Sequence, residues 1–259
     1  MLIATWNINS VNARIEQAVA WLKEASPDVV CLQEIKCEDA GFPAAFEDLG
    51  YNAAVHGQKT YNGVAILSKR PLSDIRKGLP GGDGDEQSRY IEALVEGDRG
   101  PVRVASIYLP NGNPPDTDKF TYKLAWMDRL IAHARELLAL EEPLVLAGDY
   151  NVIPKPIDAR NPQAWVNDAL FLPRSRANFR QLENLGLTDA VRLHHPDAPG
   201  LYSFWDYQAG AWQKDNGIRI DHHLLSPQAA DRLAGVRIDR HVRGWERPSD
   251  HVPVVIDLQ

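Results

Sequence analysis

The stretch PLVLAGDYN, residues 143–151, ends an apolar run in Gly148 and then presents Asp149 and Asn151. Side chains two residues apart on a strand point the same way, so this carboxylate and this amide are aimed together. Such a pair suits an acid and a partner that positions a water molecule. The alternative is a turn in which Asp149 and Asn151 bond their own backbone, as these residue types commonly do after a strand.

Other strand-like runs also end in residues able to bind a metal or a phosphate, and these residues are Asn7, Glu34, Tyr108, Asp221, Asp250 and His251. Taken singly, each has a structural explanation, such as a helix cap, a surface acid or an edge aromatic. Taken together, clustered carboxylates at the ends of buried runs need partners, and a divalent cation is one. The oxygen-rich set favours Mg²⁺ or Mn²⁺ over Zn²⁺. This chemistry indicates a site for phosphate esters.

The elements that position these residues are many strands and a few helices. We expect strands at residues 2–8, 28–33, 51–56, 63–68, 90–95, 102–108, 143–149, 202–207, 218–226, 236–240 and 252–258. Helices are expected after a cap at Asn9 or Ser10, at residues 120–140 and at residues 175–185. This arrangement favours packed sheets with helices outside them, rather than a purely parallel sheet.

Composition places limits on the class of protein. The 259 residues carry a formal net charge of -7, and we expect one domain over residues 1–259, since a layered domain of this length is ordinary. Cys31 and Cys37 form no metal or disulfide pattern. No apolar run reaches membrane-spanning length and the start, MLIATWNINS, lacks a basic region, so we expect a cytoplasmic protein with no membrane contact. The acidic charge weakly favours a small-molecule enzyme over a nucleic-acid coat.

Six short motifs resemble, in the same order, the signatures of the exonuclease III family of abasic-site endonucleases: TWNIN (residues 5–9), LQEIK (32–36), IYLPNG (107–112), LAGDYN (146–151), RID (219–221) and SDH (249–251). Residues 171–192 and SFWDY, residues 203–207, are similar to segments of this branch that lipid and inositol phosphatases lack. The family belongs to the endonuclease/exonuclease/phosphatase superfamily. The resemblance therefore implies the DNase I-like fold, a four-layer α/β/β/α sandwich with a cleft at the strand ends.

On the metal side of that cleft, the resemblance implies that Glu34 is the main Mg²⁺ ligand. Asn7 and Asp250 are expected close to the metal or the phosphate. Some relatives have an aspartate where this chain has Asn9. Asn9 removes one possible carboxylate ligand, which favours a site with a single metal.

On the water side, the resemblance implies that Asp149 orients or deprotonates the attacking water and that Asn151 holds this water and the phosphate. Tyr108 and His251 are expected to donate to phosphate oxygens, with Asp221 fixing the tautomer of His251. In-line attack on a phosphodiester needs donors on the non-bridging oxygens and a base beside the water, so the chemistry agrees with these roles. The sequence leaves open whether Asp149 or His251 is the base.

DNA binding at a baseless sugar needs an apolar pocket too small for a base. The resemblance places this pocket at Phe204, Trp212, Ile218 and Ile220, although all four residues are equally suited to a core. For the phosphate track we expect four residues on loops beside the strand ends: Lys36, Tyr61, Arg89 and Asn111. A basic patch at Arg174, Arg176 and Arg180 is either a DNA-facing loop or a helix surface.

The expected activity is that of a Mg²⁺-dependent DNA-repair phosphodiesterase. It would cleave 5′ to abasic sites in duplex DNA, leave a 3′-hydroxyl and show 3′→5′ exonuclease or 3′-phosphatase action. The expected partner is duplex DNA with abasic sites or blocked 3′ ends, bound by a monomer. One alternative is a phosphatase or phosphodiesterase of a small or lipid phosphate on the same fold, which the acidic charge favours. The other is a catalytically silent DNA-binding protein, against which the intact polar set argues.

Overall fold

The computed structural model describes residues 1–259 and contains twelve strands and six helices. The strands are β1 (Leu2–Asn7), β2 (Val29–Gln33), β3 (Asn52–His56), β4 (Val64–Ser68), β5 (Leu72–Lys77), β6 (Tyr90–Val95), β7 (Val102–Tyr108), β8 (Leu144–Asp149), β9 (Thr188–Asp189), β10 (Asp221–Leu225), β11 (Leu233–Ile238) and β12 (Val254–Leu258). The helices are α1 (Ile15–Ala25), α2 (Ala45–Asp48), α3 (Asp118–Leu138), α4 (Pro173–Asn184), α5 (Ala190–His194) and α6 (Pro227–Ala230). Short 3-10 helices lie at Asn12–Arg14, Asp39–Gly41, Pro156–Asp158, Pro162–Trp165 and Arg240–Gly244.

The strands form two sheets that pack face to face, with helices on both outer faces. The first sheet has the order β11, β12, β1, β2, β4, β3, and the second has the order β5, β6, β7, β8, β10, β9. Apolar side chains of both sheets, such as Ile3 and Val104, fill the layer between them. Trp6 of the first sheet packs with Trp21 of α1, and Leu146 of the second sheet belongs to one core with Leu130 of α3. The predicted four-layer α/β/β/α sandwich is confirmed.

Strand pairing brings the predicted site residues to one end of the sandwich. Asn7 ends β1 and Glu34 follows β2, and these two strands are parallel neighbours. In the second sheet, β7 and β8 are parallel, and Tyr108 pairs with Asp149. β10 runs antiparallel to β8 and places Asp221 opposite Asp149. The polar residues that the sequence scatters over more than two hundred positions therefore share one edge.

Hydrogen bonds between buried polar side chains connect the two sheets just behind that edge. Gln33 of β2 donates from Nε2 to the Ser106 hydroxyl of β7 at 3.1 Å, and Ser106 donates to the Leu32 carbonyl at 2.9 Å. Thr5 of β1 accepts from the same Gln33 nitrogen at 3.0 Å. Buried polar groups that are fully bonded hold a single arrangement, so the sheets have a fixed spacing one residue before Glu34.

Gly148 allows close approach of the two strands that deliver Tyr108 and Asp149. A Cβ at this position would lie 2.0 Å from the Ile107 carbonyl oxygen of β7, which no side chain can accommodate. The glycine of the LAGDYN motif is therefore required by strand packing, one residue before the carboxylate.

Two expectations about elements are wrong. Residues 202–207 form no strand, and only isolated bridges join Phe204 to Ile218 and to His251. Neither Asn9 nor Ser10 caps a helix, because both have a positive φ and the first turn that follows has no side-chain cap. The sequence pattern also gives no signal for β5, whose side chains are mostly exposed. None of the helices combines the length and the apolar character needed to cross a bilayer.

The adjacent histidines of β10 face opposite ways, as strand geometry requires. His222 faces the helices and lies 3.0 Å from the Val152 carbonyl. His223 is on the same face as Leu225, in the layer between the sheets, and is fully buried. Burial lowers the pKa of His223 from 6.5 to about 3, so the folded protein keeps this imidazole neutral.

We predict that His223 makes the fold sensitive to acid. The unfolded chain protonates this imidazole below its ordinary pKa of 6.5 while the folded chain does not, so stability falls as the pH drops below that value. The His223→Leu variant should lose about 2 kcal/mol less unfolding free energy than the parent between pH 7 and pH 5. Urea unfolding at both pH values measures this difference. His195→Leu, at an exposed position, is the control, and equal pH slopes in the parent and His223→Leu would contradict the prediction.

Candidate active site

Two carboxylates and one imidazole form the centre of the strand-end cluster. His251 donates from Nδ1 to Asp221, with Oδ2 at 2.9 Å and Oδ1 at 3.1 Å. On the other side, His251 Nε2 lies 3.8 Å from Asp149 Oδ2. All three side chains are buried, and one ligand atom from each lies within 4.8 Å of the others. The imidazole therefore lies between two acids.

The pKa values of Asp149 and His251 both lie above their usual values. Burial raises the pKa of Asp149 to about 7, with His251 opposing this rise and Asp221 adding to it. Burial alone would lower the pKa of His251, but the charges of Asp221 and Asp149 raise it to about 10. Near neutral pH the imidazole is thus a cation that can donate from both nitrogens, and Asp149 is the group able to accept a proton.

Asn7 links the carboxylates of the two sheets. Its Nδ2 donates to Glu34 Oε1 at 2.9 Å and to Asp149 Oδ2 at 3.0 Å. Glu34 also pairs with Lys36 at 2.9 Å. Burial would raise the pKa of Glu34, but the bonds to Asn7 and Lys36 lower it, so the carboxylate stays ionised. Ionised carboxylate oxygens beside an amide are the ligand type that a hard divalent cation prefers, so these residues fit Mg²⁺ or Mn²⁺.

Two site loops hold non-glycine residues in the left-handed region. Glu34 has φ 51° and Asn151 has φ 47°. For a glutamate this conformation is uncommon and costs about 1–3 kcal/mol, which the surrounding bonds must offset. Such strain is typical of functional sites, and here it turns the Glu34 side chain from the strand end into the cleft.

Asn151 is held on three sides. Its backbone N–H donates to Asp149 Oδ1 at 2.9 Å, and its Nδ2 donates to the Leu109 carbonyl at 2.9 Å. Its Oδ1 accepts from Asn111 Nδ2 at 3.1 Å. The amide thus lies beside the Asp149 carboxylate, with 3.4 Å between Nδ2 and Oδ2. The Asp149 side chain bonds the Asn151 backbone, as in the turn, and the two side chains also lie side by side. Both alternatives that the sequence offered are therefore present.

Tyr108 can act as a proton donor at the edge of the cleft. Burial raises its pKa well above the usual value, and Glu34 and Asp149 add to that rise, so the phenol keeps its proton. The Arg89 guanidinium stacks over the Tyr108 ring at 4.7 Å and also donates to the Tyr108 carbonyl. Arg89 therefore brings a positive charge next to this donor.

Asp250 lies at the rim of the cleft and not at its centre. Its Oδ1 accepts from Asn9 Nδ2 at 3.1 Å, and Asn9 Oδ1 accepts from Lys36 at 2.7 Å. Asn9 also contacts the Tyr207 hydroxyl at 3.3 Å, which Arg14 approaches at 3.2 Å. Tyr207 and Arg14 were not singled out by the sequence; the SFWDY segment that contains Tyr207 was the only signal.

A buried ion network supports β10 where it enters the site. Arg219 of the RID motif pairs with Asp158 at 2.7 Å and with Asp189 at 2.8 Å, and Arg192 bonds Asp158 as well. Asp158 belongs to the 3-10 helix Pro156–Asp158 that follows the GDYN loop. The arginine of this motif therefore fixes the loop relative to the strand that carries Asp221.

Three of the four predicted pocket residues lie together and one does not. Phe204, Ile218 and Ile220 share an apolar cluster with Leu170 and Phe171, and Ile218 and Ile220 are almost fully buried in it. The Phe204 ring lies 5.0 Å from the His251 ring, so this cluster borders the site. Trp212 packs instead on Trp205, at 5.0 Å, in a separate cluster.

The remaining predicted DNA contacts differ in their surroundings. Tyr61 is 68% exposed, as a contact residue on a loop can be. Arg174, Arg176 and Arg180 lie on α4, so they form a helix surface and not a loop. Arg176 stacks over Phe171 at 4.5 Å, which places one of these charges beside the apolar cluster.

We predict that Asp221 sets the protonation of His251. The Asp221→Asn variant removes the negative charge that raises the pKa of His251, so that pKa should fall well below about 10. Titration of the imidazole by ¹⁵N NMR measures the shift. Asp250→Asn is the control, because Asp250 is the weakest of the acids that act on His251 and should produce a smaller change. An unchanged titration midpoint of His251 in Asp221→Asn would show that the Asp221 carboxylate does not stabilise the protonated imidazole.

Comparison with known proteins agrees with this geometry. Residues 4–251 match the model of the endonuclease/exonuclease/phosphatase family. Exodeoxyribonuclease III from Haemophilus influenzae is 35% identical over 265 residues, which cover 98% of this chain and 98% of that protein. A variant of the 3′ phosphatase NExo from Neisseria, bound to product DNA hairpin, is 40% identical, with a TM-score of 0.96 over 100% of this chain and 99% of that one. An AP endonuclease from Archaeoglobus fulgidus is 36% identical, with a TM-score of 0.94 over 100% and 99% of the two chains. This chain belongs to the endonuclease/exonuclease/phosphatase family, in the branch that contains exodeoxyribonuclease III.

Proposed function

We propose that this protein is a Mg²⁺-dependent DNA-repair phosphodiesterase that cleaves duplex DNA 5′ to abasic sites and leaves a 3′-hydroxyl. It also processes 3′ ends as a 3′→5′ exonuclease or 3′ phosphatase. The observation that carries the proposal is the buried set of Asp149, Asp221 and His251, joined through Asn7 to Glu34. The names of the full-length relatives support the choice of DNA as the substrate.

Asp149 is the base in this mechanism. Its raised pKa suits a group that takes a proton from water near neutral pH, and Asn151 beside it holds the water. His251 is a cation under the same conditions, so it donates from Nε2 to a phosphate oxygen while Asp221 orients it through Nδ1. Tyr108 donates a second hydrogen bond to the phosphate, and the developing negative charge is stabilised by fixed donors.

Glu34 and Asn7 would hold the metal ion, with Asp250 at the nearby rim. Positive charge on the phosphate oxygens and on the leaving oxygen is the chemistry that a bound Mg²⁺ would supply there. The Lys36 ammonium next to Glu34 adds positive charge on the same side.

DNA would be held on both sides of this centre. Lys36, Arg89, Asn111 and Tyr61 provide charge and hydrogen bonds for the phosphate backbone. Phe204, Ile218 and Ile220 offer apolar surface beside His251 for an extrahelical sugar without a base. Trp212 would contribute only from its separate cluster, which makes its part in the pocket the weakest of the four. We propose that the enzyme acts as a monomeric single domain in the cytoplasm, where Cys31 and Cys37 remain free thiols.

The proposal is tested with three labelled substrates: a duplex with one tetrahydrofuran abasic analogue, a nicked duplex with a 3′-phosphate, and p-nitrophenyl phosphate. With Mg²⁺, we expect incision immediately 5′ to the analogue and release of the 3′-phosphate, both abolished by EDTA. The Asp149→Asn variant should lose about 10²- to 10⁴-fold in rate, because a positioned base contributes that much. Glu34→Gln should also lose activity, whereas Glu38→Gln, at an exposed position, should not.

The same assay separates the other candidate functions. Hydrolysis of p-nitrophenyl phosphate with both duplexes intact would replace the DNA substrate with a small phosphate. Binding of the duplexes without any cleavage in Mg²⁺ or Mn²⁺ would indicate a silent DNA-binding protein. Processing of the 3′-phosphate without incision at the analogue would restrict the activity to 3′ ends.

A further inference from the structure

Lys123 of α3 is a fully buried lysine that the proposed mechanism does not use. Burying an ammonium is costly unless hydrogen bonds replace its water shell. Asp149 and Asp168 are near enough to act on the charge of Lys123, but neither forms an ion pair with it. Burial lowers its pKa to about 7 in spite of these two acids. The side chain is therefore held in place by something other than an ion pair.

The Lys123 ammonium bonds two backbone carbonyls, one in each loop that carries a site amide. Its Nζ donates to the Asn111 carbonyl at 3.0 Å and to the Asn151 carbonyl at 2.6 Å. The side chains of these two asparagines bond each other at 3.1 Å on the cleft side. Lys123 therefore joins the loops after β7 and β8 from the α3 side, while the side-chain amides of Asn111 and Asn151 join the same loops on the cleft side.

The loop after β7 is shaped to fit this lysine. Gly112 has φ +86° and lies against the lysine side chain, so that a Cβ there would come within 2.6 Å of Lys123 Cδ. The glycine of the LPNG motif is thus explained by a contact with α3 as well as by its positive φ. The loop after β7 therefore lies directly against the aliphatic part of the lysine side chain.

A side chain without a donor at position 123 would leave the carbonyl of Asn151 without a partner, in a residue that already has a left-handed backbone conformation. Loss of that bond leaves the peptide between Asn151 and Val152 free to rotate, and this rotation shifts the Asn151 side chain. A shift of about 1 Å in a group that positions the attacking water can reduce a rate about 100-fold.

We infer that Lys123 is a positioning residue of the reaction, which fixes the Asn151 and Asn111 amides beside Asp149 through their backbone carbonyls. The inference rests on the proposed phosphodiesterase activity, because Asn151 acts on water or phosphate only in that reaction. Lys123 touches neither, so its effect must appear in catalysis through Asn151.

The test compares Lys123→Met with the parent on the cleaved DNA substrate. We expect kcat to fall about 10- to 100-fold while KM changes less than about threefold, because the altered amide acts on the reacting groups and not on the DNA backbone. The matched control is Leu130→Ala, which removes a buried side chain from the same helix. This control should lower the melting temperature at least as much as Lys123→Met and leave kcat at 25 °C within about twofold of the parent.

A double-mutant cycle decides whether Lys123 acts through Asn151. If it does, adding Lys123→Met to Asn151→Ala should lower kcat by less than about threefold beyond Asn151→Ala alone, because the amide is already gone. Additive losses would overturn the inference and assign Lys123 a structural role, as would an unchanged kcat in Lys123→Met. A parent that cleaves no DNA would instead overturn the proposed function, so the two failures are distinguishable.

If Lys123→Met does not fold, the cycle is run with Lys123→Arg, which keeps N–H donors and the charge in a different geometry. We expect a kcat below the parent in the single variant and again no additive loss with Asn151→Ala. A kcat equal to that of the parent, or additive losses in the double variant, would overturn the inference.

Discussion

The structure depends on two carboxylates that face each other across neighbouring antiparallel strands. Asp221 is the register partner of Asp149, and both are buried. Two negative charges this close in a dry environment repel strongly unless a cation or several donors lie between them. His251 takes that position, and Asn7 and the Asn151 amide supply further donors to Asp149. The imidazole and these donors therefore offset the repulsion between the two carboxylates that the β8–β10 pairing brings together.

The residues that form this charged cluster come from both sheets. Asp149 and Asp221 come from the second sheet, whereas Asn7 and Glu34 come from the first and His251 precedes its strand β12. Their relative positions therefore depend on how the sheets are spaced, which the Gln33 to Ser106 bond fixes just behind the cleft. The close approach at Gly148 fixes the distance between β7 and β8 within the second sheet. The relative positions of the site residues are therefore set by the packing of the two sheets and not by any single loop.

Much of this arrangement could be predicted from the sequence because buried strands leave a continuous apolar run that ends abruptly at a polar residue. That signal located Asn7, Glu34, Tyr108 and Asp149 without knowledge of the fold. It failed at residues 202–207, where apolar and aromatic side chains fill a satellite core without pairing as a strand.

Residues that support the site without lining it leave a weaker pattern in the sequence. Lys123 occupies the apolar stripe of α3 four residues before Met127 and seven before Leu130, and a charged residue on such a stripe is the one clue that it is buried. Arg219 is part of a motif, but its partners Asp158 and Asp189 are far apart in sequence and only the fold brings them together. Their pairing could not be read from local pattern, since it depends on tertiary contact.

The pairing of β1 with β12 in the first sheet also affects when the site can form during synthesis of the chain. β1 pairs with β12, and the Ser249 hydroxyl donates to the Asn7 carbonyl at 2.7 Å across 242 residues of chain. Contacts of such long range form late, because closing the intervening loop costs entropy before any bond is gained. A growing chain on the ribosome lacks the His251 imidazole, which lies between Asp149 and Asp221, until residue 251 has been added. The charges at the centre of the cleft therefore reach their final arrangement only after residues 249–251 have been added.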